Sequence, residues 1–330
     1  MTGRLCLGSR RRSLTLAALG LFVGLGLSAC SGGPPPLGAN FTPSAATTSG
    51  DYQLPLDSVP TSDGKTFYFT AMGSGGMGVF RVDAAGGAAT PVFVGAPLVS
   101  PFGIAISGDD NTLYIADSAA GHDPNDPMGD AKSGALYSLP ASGGTPTAVA
   151  ETVGLRPRGV EVAQQDNADV VYFTGTAADG KPGVFKLAGG LQTLASGDPL
   201  TDPGGITISR TGSVYVTNTA AAQNGLSSVF QIDGGSANEI VSGIKVGYPA
   251  GISISQDGKT LLVSGQDAVL GTSTVYRVNV DTREVTTINQ GLENNPDAGG
   301  LHRARNADVF SWCGVTVGTG GSGTVYRISF

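Results

Sequence analysis

The chain of 330 residues has few of the side chains on which most catalytic sites depend. It contains two histidines, three cysteines and one tryptophan, and charged residues make up 14% of it. Two histidines leave little room for a multi-histidine zinc site or a histidine-based catalytic triad. The sequence also lacks the G-x-S-x-G, G-x-x-x-x-G-K-[ST] and H-E-x-x-H motifs, which argues against the hydrolases, nucleotide-binding proteins and zinc proteases that carry them.

Long apolar runs are absent as well, and the one short run lies in a predicted export signal at residues 1–29. Four arginines precede the run from Leu14 to Leu27, which is too short to cross a bilayer about 30 Å thick. Leu27-Ser28-Ala29-Cys30 resembles a bacterial lipobox, which implies cleavage before Cys30 and its modification by a diacylglyceryl group. Ser9 to Leu14 also resembles a twin-arginine motif, so the export route stays open.

The mature chain is acidic and has little cysteine. Loss of the four signal arginines leaves 15 basic and 26 acidic residues, a net charge of −11, which would repel nucleic acid. With Cys6 removed and Cys30 acylated, Cys313 has no partner for an intramolecular disulfide. Residues 30–50 are rich in Pro, Gly, Ser and Thr, and we expect them to tether the domain to the membrane.

The remaining residues, 51–330, form six repeats. The stretch from Ser100 to Ser118 is predicted to be a β-hairpin, with branched and aromatic residues on both sides of a polar turn. Variants of it follow six prolines spaced by 46, 56, 46, 46 and 47 residues, a period typical of repeat architectures. These prolines are Pro55, Pro101, Pro157, Pro203, Pro249 and Pro296.

Each repeat also carries a third strand and the first five carry a fourth, with no helical periodicity between them. We therefore predict an all-β, six-bladed propeller with four-stranded blades that start near residues 51, 98, 154, 200, 246 and 293. A stacked β-solenoid of hairpins is the alternative. The sixth blade lacks a fourth strand, and we expect residues 41–48 to pair there and close the ring.

In a propeller, the connections into the innermost strands open on one face together with the loops between second and third strands. We call this the upper face and expect a ligand there. Its predicted binding residues are Arg156, Arg158, Asp202, Tyr248, Gln266, Asp267 and Trp312. Asp117, Asn218 and Asp297 are further candidates for catalysis.

Two polar residues interrupt the innermost strands. Alignment of the repeats places Glu161 and His302 where other blades have Ala105, Thr207 and Ser253. A carboxylate and an imidazole that meet in the channel could act as an acid/base pair. Alternatively, each is satisfied locally by the backbone or by an arginine.

The second repeat has an insertion whose oxygen ligands could hold calcium. It carries Asp123, Asn125, Asp126 and Asp130, although such residues are also ordinary turn formers. A calcium site and a solvated turn both remain open, and the sequence predicts no other cofactor.

The pattern P-x-G-[IV]-x-[IV]-S…DG-x-[LV]-[YL]-V…VY-[RK]-[IV] resembles NHL-type propellers and the gluconolactonase and senescence-marker-protein-like propellers. In the lactonases the resemblance implies a divalent metal held by Asn or Asp directly after the repeat prolines. Here those positions are Phe102, Arg158, Gly204, Ala250 and Asp297, so only the last is acidic. A lactonase-type ligand set is thus largely missing.

These observations favour an extracytoplasmic, monomeric binding or scaffold module that is anchored in the cell envelope through Cys30. Its expected partner is a protein or a glycan on the upper face. The alternative is a lactonase-like hydrolase or lyase with a site at the top of the channel, dependent on calcium if the insertion binds it.

Overall fold

The computed structural model describes residues 33–121, 133–177, 179–219, 226–267, 271–289, 292, 298–315 and 322–330. Strands dominate these residues, and a short 3-10 helix at Ala150–Thr152 is the one helix described. In this part of the chain, no helix has the length and apolar character needed to cross a membrane.

Six four-stranded antiparallel sheets follow one another along the chain, which confirms the predicted six-bladed propeller. From the innermost strand outward, the first three blades are β3 (Ser58–Pro60), β4 (Thr66–Gly73), β5 (Gly76–Asp83) and β7 (Thr90–Val94); β8 (Pro101–Ile106), β9 (Thr112–Asp117), β10 (Ala135–Pro140) and β11 (Thr147–Ala148); and β12 (Val160–Gln165), β13 (Ala168–Thr176), β14 (Pro182–Leu187) and β15 (Leu191–Ser196).

The remaining blades are β16 (Pro203–Ile208), β17 (Val214–Asn218), β18 (Ser227–Asp233) and β19 (Ser236–Ile244); β20 (Ile252–Ile254), β21 (Thr260–Gln266), β22 (Ser273–Asn279) and β23 (Val285–Ile288); and β24 (Ala298–Arg303), β25 (Val309–Gly314), β26 (Thr324–Ser329) and β1 (Thr42–Ala45). A separate parallel pair joins β2 (Thr47–Ser49) to β6 (Gly87–Ala88).

The turns between first and second strands lie on the face opposite the upper one, which we call the lower face. In blade two the Ser107 hydroxyl donates to the Asp109 carboxylate at 2.6 Å, and the Ser107 N–H donates to the Thr112 carbonyl. The hydrogen bond from Ser107, joined by others from Asn111, lowers the pKa of Asp109 to about 2. Ser255 and Asp257 repeat this arrangement in blade five at the same distance. The serine and aspartate of each turn thus fix the hairpin at its tip.

The innermost strands form a closed ring around the channel. Each of β3, β8, β12, β16 and β20 packs against the innermost strand of the next blade, and β24 packs back against β3. The motif glycines allow this close approach. A Cβ on Gly103 would stand 2.3 Å from the Arg158 carbonyl oxygen, and one on Gly159 would stand 2.3 Å from that of Gly204. Only glycine fits at such positions.

The core lies between neighbouring blades. One buried cluster combines Val59 and Val79 of blade one with Ile104 and Ile115 of blade two. Clusters of the same kind join blade three to four, four to five and five to six. Because each blade buries its apolar faces against both neighbours, the ring is a single cooperative structure rather than a row of independent repeats.

The outer strand of blade six comes from the start of the domain. β1, which falls within the segment 41–48 singled out from the sequence, pairs antiparallel with β26. The ring of Phe41 packs edge-to-face on that of Phe330, with centroids 5.8 Å apart. The next residues continue into β2 and pair with blade one, so this segment links the last blade to the first.

Candidate functional site

The candidate site lies in the channel, where one strand departs from the repeat. Five innermost strands carry glycine at the same position, namely Gly103, Gly159, Gly205, Gly251 and Gly300. The register of β3 places Asp57 at the corresponding position in blade one, directly before Ser58. A buried carboxylate therefore stands where every other blade has no side chain.

Both oxygens of the Asp57 carboxylate are engaged. Oδ1 accepts a hydrogen bond from the Ser58 N–H at 2.9 Å, and Oδ2 accepts one from the Ile104 N–H of blade two at 3.0 Å. His302 Nε2 of blade six lies 3.1 Å from the same Oδ2. Asp57 thus connects three consecutive blades at the channel wall.

His302 connects this carboxylate to a second one. Its Nδ1 lies 3.4 Å from Glu161 Oε2 of blade three, and its side chain is only 7% exposed. The structure therefore brings together Glu161 and His302, the two residues that the sequence placed on innermost strands. It adds Asp57, which is not among the site residues predicted from the sequence.

The two carboxylates hold His302 in its charged form. Burial by itself lowers the pKa of this imidazole, but the charges and hydrogen bonds of Asp57 and Glu161 outweigh it and raise the pKa to about 10. At neutral pH the ring is an imidazolium that donates from both nitrogens. A group with this pKa is a poor general base near pH 7, since the form that would take up a proton is scarcely populated.

Above His302 the channel is narrow and its mouth is covered. The upper cavity has a volume of about 30 Å³, enough for about one or two water molecules. Phe102 of blade two and Tyr248 of blade five approach across the ring with centroids 5.3 Å apart and planes at 68°. This edge-to-face pair restricts access to the cavity from the upper face.

A polar group lies beside the aromatic pair. Arg158 Nη1 forms an ion pair with Asp202 Oδ1, and Thr219 donates to the other oxygen of that carboxylate. Both members of the ion pair are about one-third exposed. The predicted upper-face residues Arg158 and Tyr248 therefore line the same cavity, together with Phe102 and Thr219. Asp202 is the partner of Arg158 beside it.

Asp117 and Asn218 occupy matching positions at the ends of second strands, and both are fully buried. The carboxylate of Asp117 accepts N–H groups of Val99, Ser100 and Ala119. The amide of Asn218 accepts those of Thr201 and Asp202. Burial raises the pKa of Asp117. Each side chain holds the connection that enters the innermost strand, so neither is presented to the channel.

Trp312 is not on the upper face. The register pairs it with Leu301, and its side chain is fully buried in the core cluster of blades five and six. The adjacent Cys313 is also buried, and burial raises the pKa of its thiol. A thiol in this state is not a nucleophile at neutral pH.

The other predicted face residues are at strand ends and connections. Arg156 precedes β12, is partly exposed and has a positive φ of 46°. Gln266 ends β21 and Asp267 follows it, both partly exposed. Cys30, Asp297 and the residues of the blade-two insertion lie outside the described residues: Asp123, Asn125, Asp126 and Asp130.

The residues around the upper cavity do not fit a calcium ion. Its lining includes Phe102, Arg158, Gly204 and Ala250 at the positions after the repeat prolines, and none of these offers a carboxylate. Asp57 lines it too, but both of its oxygens already accept N–H groups. Across the described part of the chain, no group of three or more His, Cys, Asp or Glu side chains could hold a metal ion.

Solved structures of the same architecture resemble this chain. The PQQ-bound form of an aldose sugar dehydrogenase from Streptomyces coelicolor superimposes with a TM-score of 0.64 at 12% identity, covering 89% of this chain and 99% of that one. A putative TolB from Agrobacterium tumefaciens gives 0.55 at 18% identity, covering 84% and 91%.

A gluconolactonase from Xanthomonas campestris gives a TM-score of 0.53 at 14% identity, covering 88% of this chain and 90% of that one. No family model and no curated protein matches the sequence. Identities this low carry information about architecture and not about activity. The chain is therefore similar to these proteins in its fold, that of a six-bladed β-propeller.

Proposed function

We propose that the protein is a binding module that recognises a protein partner through its upper face. It is exported, and a lipid on Cys30 anchors it in the cell envelope. In this proposal residues 30–50 are the tether, and β1 and β2 within it pair with blades six and one. The tethered ring acts as a rigid platform.

The position of exposed apolar side chains supports this proposal most strongly. Among the described residues, six large hydrophobic side chains are exposed, and four of them belong to the upper face: Met72, Val99, Val153 and Tyr248. Tyr248 is 60% exposed, and Arg158 lies beside it at the channel opening. Tyrosine and arginine among apolar residues are typical of the centres of protein interfaces.

The channel itself gives less support to catalysis. Its upper cavity of about 30 Å³ is much smaller than the roughly 300 Å³ at which ligand pockets begin. The thiol of Cys313 is buried and has a raised pKa. The imidazole of His302 is held as a cation. The fixed Asp57, His302 and Glu161 set is therefore part of the scaffold in this proposal.

A lactonase-like hydrolase or lyase is the second candidate function. The observation that favours it is the same set, since two carboxylates and an imidazole meet beside the upper cavity. This candidate requires Phe102 and Tyr248 to separate and admit a substrate. It predicts turnover of lactones that the His302→Gln substitution abolishes.

Site-specific photo-crosslinking in cells tests the binding proposal. A photoreactive amino acid replaces Val99, Val153 or Tyr248 on the upper face, or Leu191 or Val285 at the starts of outermost strands as matched exposed controls. We expect one defined protein adduct from the upper-face positions and none from the controls. Equal adducts from both sets would overturn the proposal, and a protease-resistant, heterogeneous adduct would make the partner a glycan.

A lactone hydrolysis assay of the purified chain, with and without calcium, addresses the second candidate. No turnover above the His302→Gln variant is expected. Turnover that this substitution removes would replace the binding module with the enzyme.

A further inference from the structure

The lower mouth of the channel opens into a second and larger cavity. Its volume is about 360 Å³, which lies in the range of small-molecule pockets. Turns and strand ends of the blades line it, and Arg210, Arg303 and Arg305 contribute its cationic groups. The chain as a whole is acidic, with a net charge of −7, so three arginines around one cavity are a local reversal of charge.

Two of these arginines are held in place by main-chain carbonyls. Arg303 donates from Nε to the Ile254 carbonyl at 2.6 Å and from Nη1 to that of Ala304 at 2.6 Å. Its side chain is 10% exposed. Arg305 of blade six reaches blade two and donates from Nη1 to the Gly108 carbonyl at 2.9 Å. The guanidinium groups are therefore oriented by the backbone before any ligand arrives.

Donor groups remain available on all three side chains. Arg210 is exposed in the turn after β16 and makes no hydrogen bond or ion pair with the residues that the structure describes. Within the same residues, Arg303 Nη2 and Arg305 Nε have no hydrogen-bond partner. Arg210 keeps the paired donors of a planar guanidinium group, which match the geometry of carboxylate and phosphate oxygens. Arg303 and Arg305 can each add a single donor.

Two acidic groups lie near these three arginines, and each of them also has another partner. Glu161 lines the cavity but is paired with the His302 imidazolium. Asp308 lies 3.9 Å from Arg303 Nε and also accepts the Gln256 N–H. Burial lowers the pKa of Arg303; the charges of Asp308 and Glu161 oppose this, and those of Arg210 and Arg305 add to it.

We propose that the lower cavity is a binding site for a small organic dianion, with phosphate or paired carboxylate groups that Arg210, Arg303 and Arg305 bind. Arg303 and Arg305 supply preoriented donors at the cavity wall, and Arg210 at its rim completes the site. The site is separate from the upper face, so it can bind a ligand whether or not a protein partner is present there.

Calorimetric titration of the purified full chain with inorganic phosphate and with malonate tests this proposal, with glucose as the uncharged comparison. Arg210→Gln removes a cation at the rim that has no partner in the described structure. Arg81→Gln is the control, because it removes an exposed arginine of β5, the third strand of blade one counted from the channel. We expect binding of at least one dianion, unchanged by Arg81→Gln and weakened about tenfold or more by Arg210→Gln.

Three results would overturn it: no heat from either dianion, equal affinity in wild type and Arg210→Gln, or equal losses in the two variants. The last would indicate general attraction by surface charge. Thermal unfolding of both variants checks that the fold is intact, because only then does a lost affinity report on the cavity.

Discussion

Asp57 Oδ1 of blade one lies 1.7 Å from the point where a Cβ on Gly300 of blade six would stand. The side chain of Asp57 thus fills the space that the missing side chain of Gly300 leaves. This carboxylate therefore lies in the contact between the first and last blades, where β24 packs against β3 and the ring closes. The side chain of Asp57 is only 6% exposed, so it has little space in which to move.

We predict that Gly300→Ala strongly destabilises the domain. The added methyl group would displace a buried carboxylate that holds His302 and the Ile104 N–H, so we expect a loss of about 3 kcal/mol in the free energy of unfolding. Gly87→Ala is the matched control, since a Cβ there meets nothing within 4 Å. Urea unfolding of both variants measures the difference, and equal stability would contradict the packing described.

The imidazolium of His302 predicts a pH dependence of stability. Its pKa is about 10 in the folded chain against an ordinary value of 6.5, so the folded state binds more protons between these values. The stabilisation is complete below pH 6.5 and is lost as the pH rises toward 10, by at most about 1.4 kcal/mol per pH unit.

The comparison of wild type with His302→Gln between pH 6.5 and 9 isolates this effect, because other titrating groups remain in both chains. We expect the wild type to lose more stability than the variant over this interval. A parallel decline in the two would show that His302 is not charged in the folded protein.

Removal of the N-terminal strands should open the ring. A chain that starts at Asp51 lacks β1 and β2 and leaves β26 with an unpaired edge, whereas a chain that starts at Pro34 retains the compact unit. We expect the shorter chain to melt at a lower temperature and to associate through that edge. Calorimetry and light scattering of the two chains decide this, and identical behaviour would mean that β1 contributes no stability.

Cys313 should not react in the folded protein. It is the one cysteine of the chain from Pro34, it is buried, and burial raises its pKa. A thiol reagent should label it slowly in buffer and completely in urea. Rapid labelling in buffer would indicate that blade six opens locally.

The six-bladed architecture could be predicted from the sequence because each blade corresponds to one repeat. The prolines and glycines recur at nearly constant spacing, and alignment on them placed Glu161 and His302 on the same ring of positions. Asp57 carried the same information, since it stands two residues after Pro55 as Gly103 stands two residues after Pro101. The alignment alone does not show that a carboxylate at that position faces the imidazole, because His302 lies in another blade.

Other features depend on three-dimensional distances that a repeat alignment does not contain. Phe102 and Tyr248 meet because the channel is narrow enough for opposite blades to touch, which no local pattern indicates. The position of Trp312 near the end of a second strand predicts that it lies on the upper face. In the structure it pairs with Leu301, and its side chain packs in the core. The position of a residue along its strand determines which end of the propeller it is near. The pleat determines to which side of the sheet its side chain points.

In the proposed function the charged residues of the channel are a fixed part of the scaffold, and recognition takes place on the upper face. NMR titration of the His302 ring, assigned with the His302→Gln variant, tests this most directly. We expect imidazolium shifts that stay constant from pH 5.5 to about 8.5. An inflection near pH 6.5, with lactone turnover that follows the same pH dependence, would instead identify the channel as an active site.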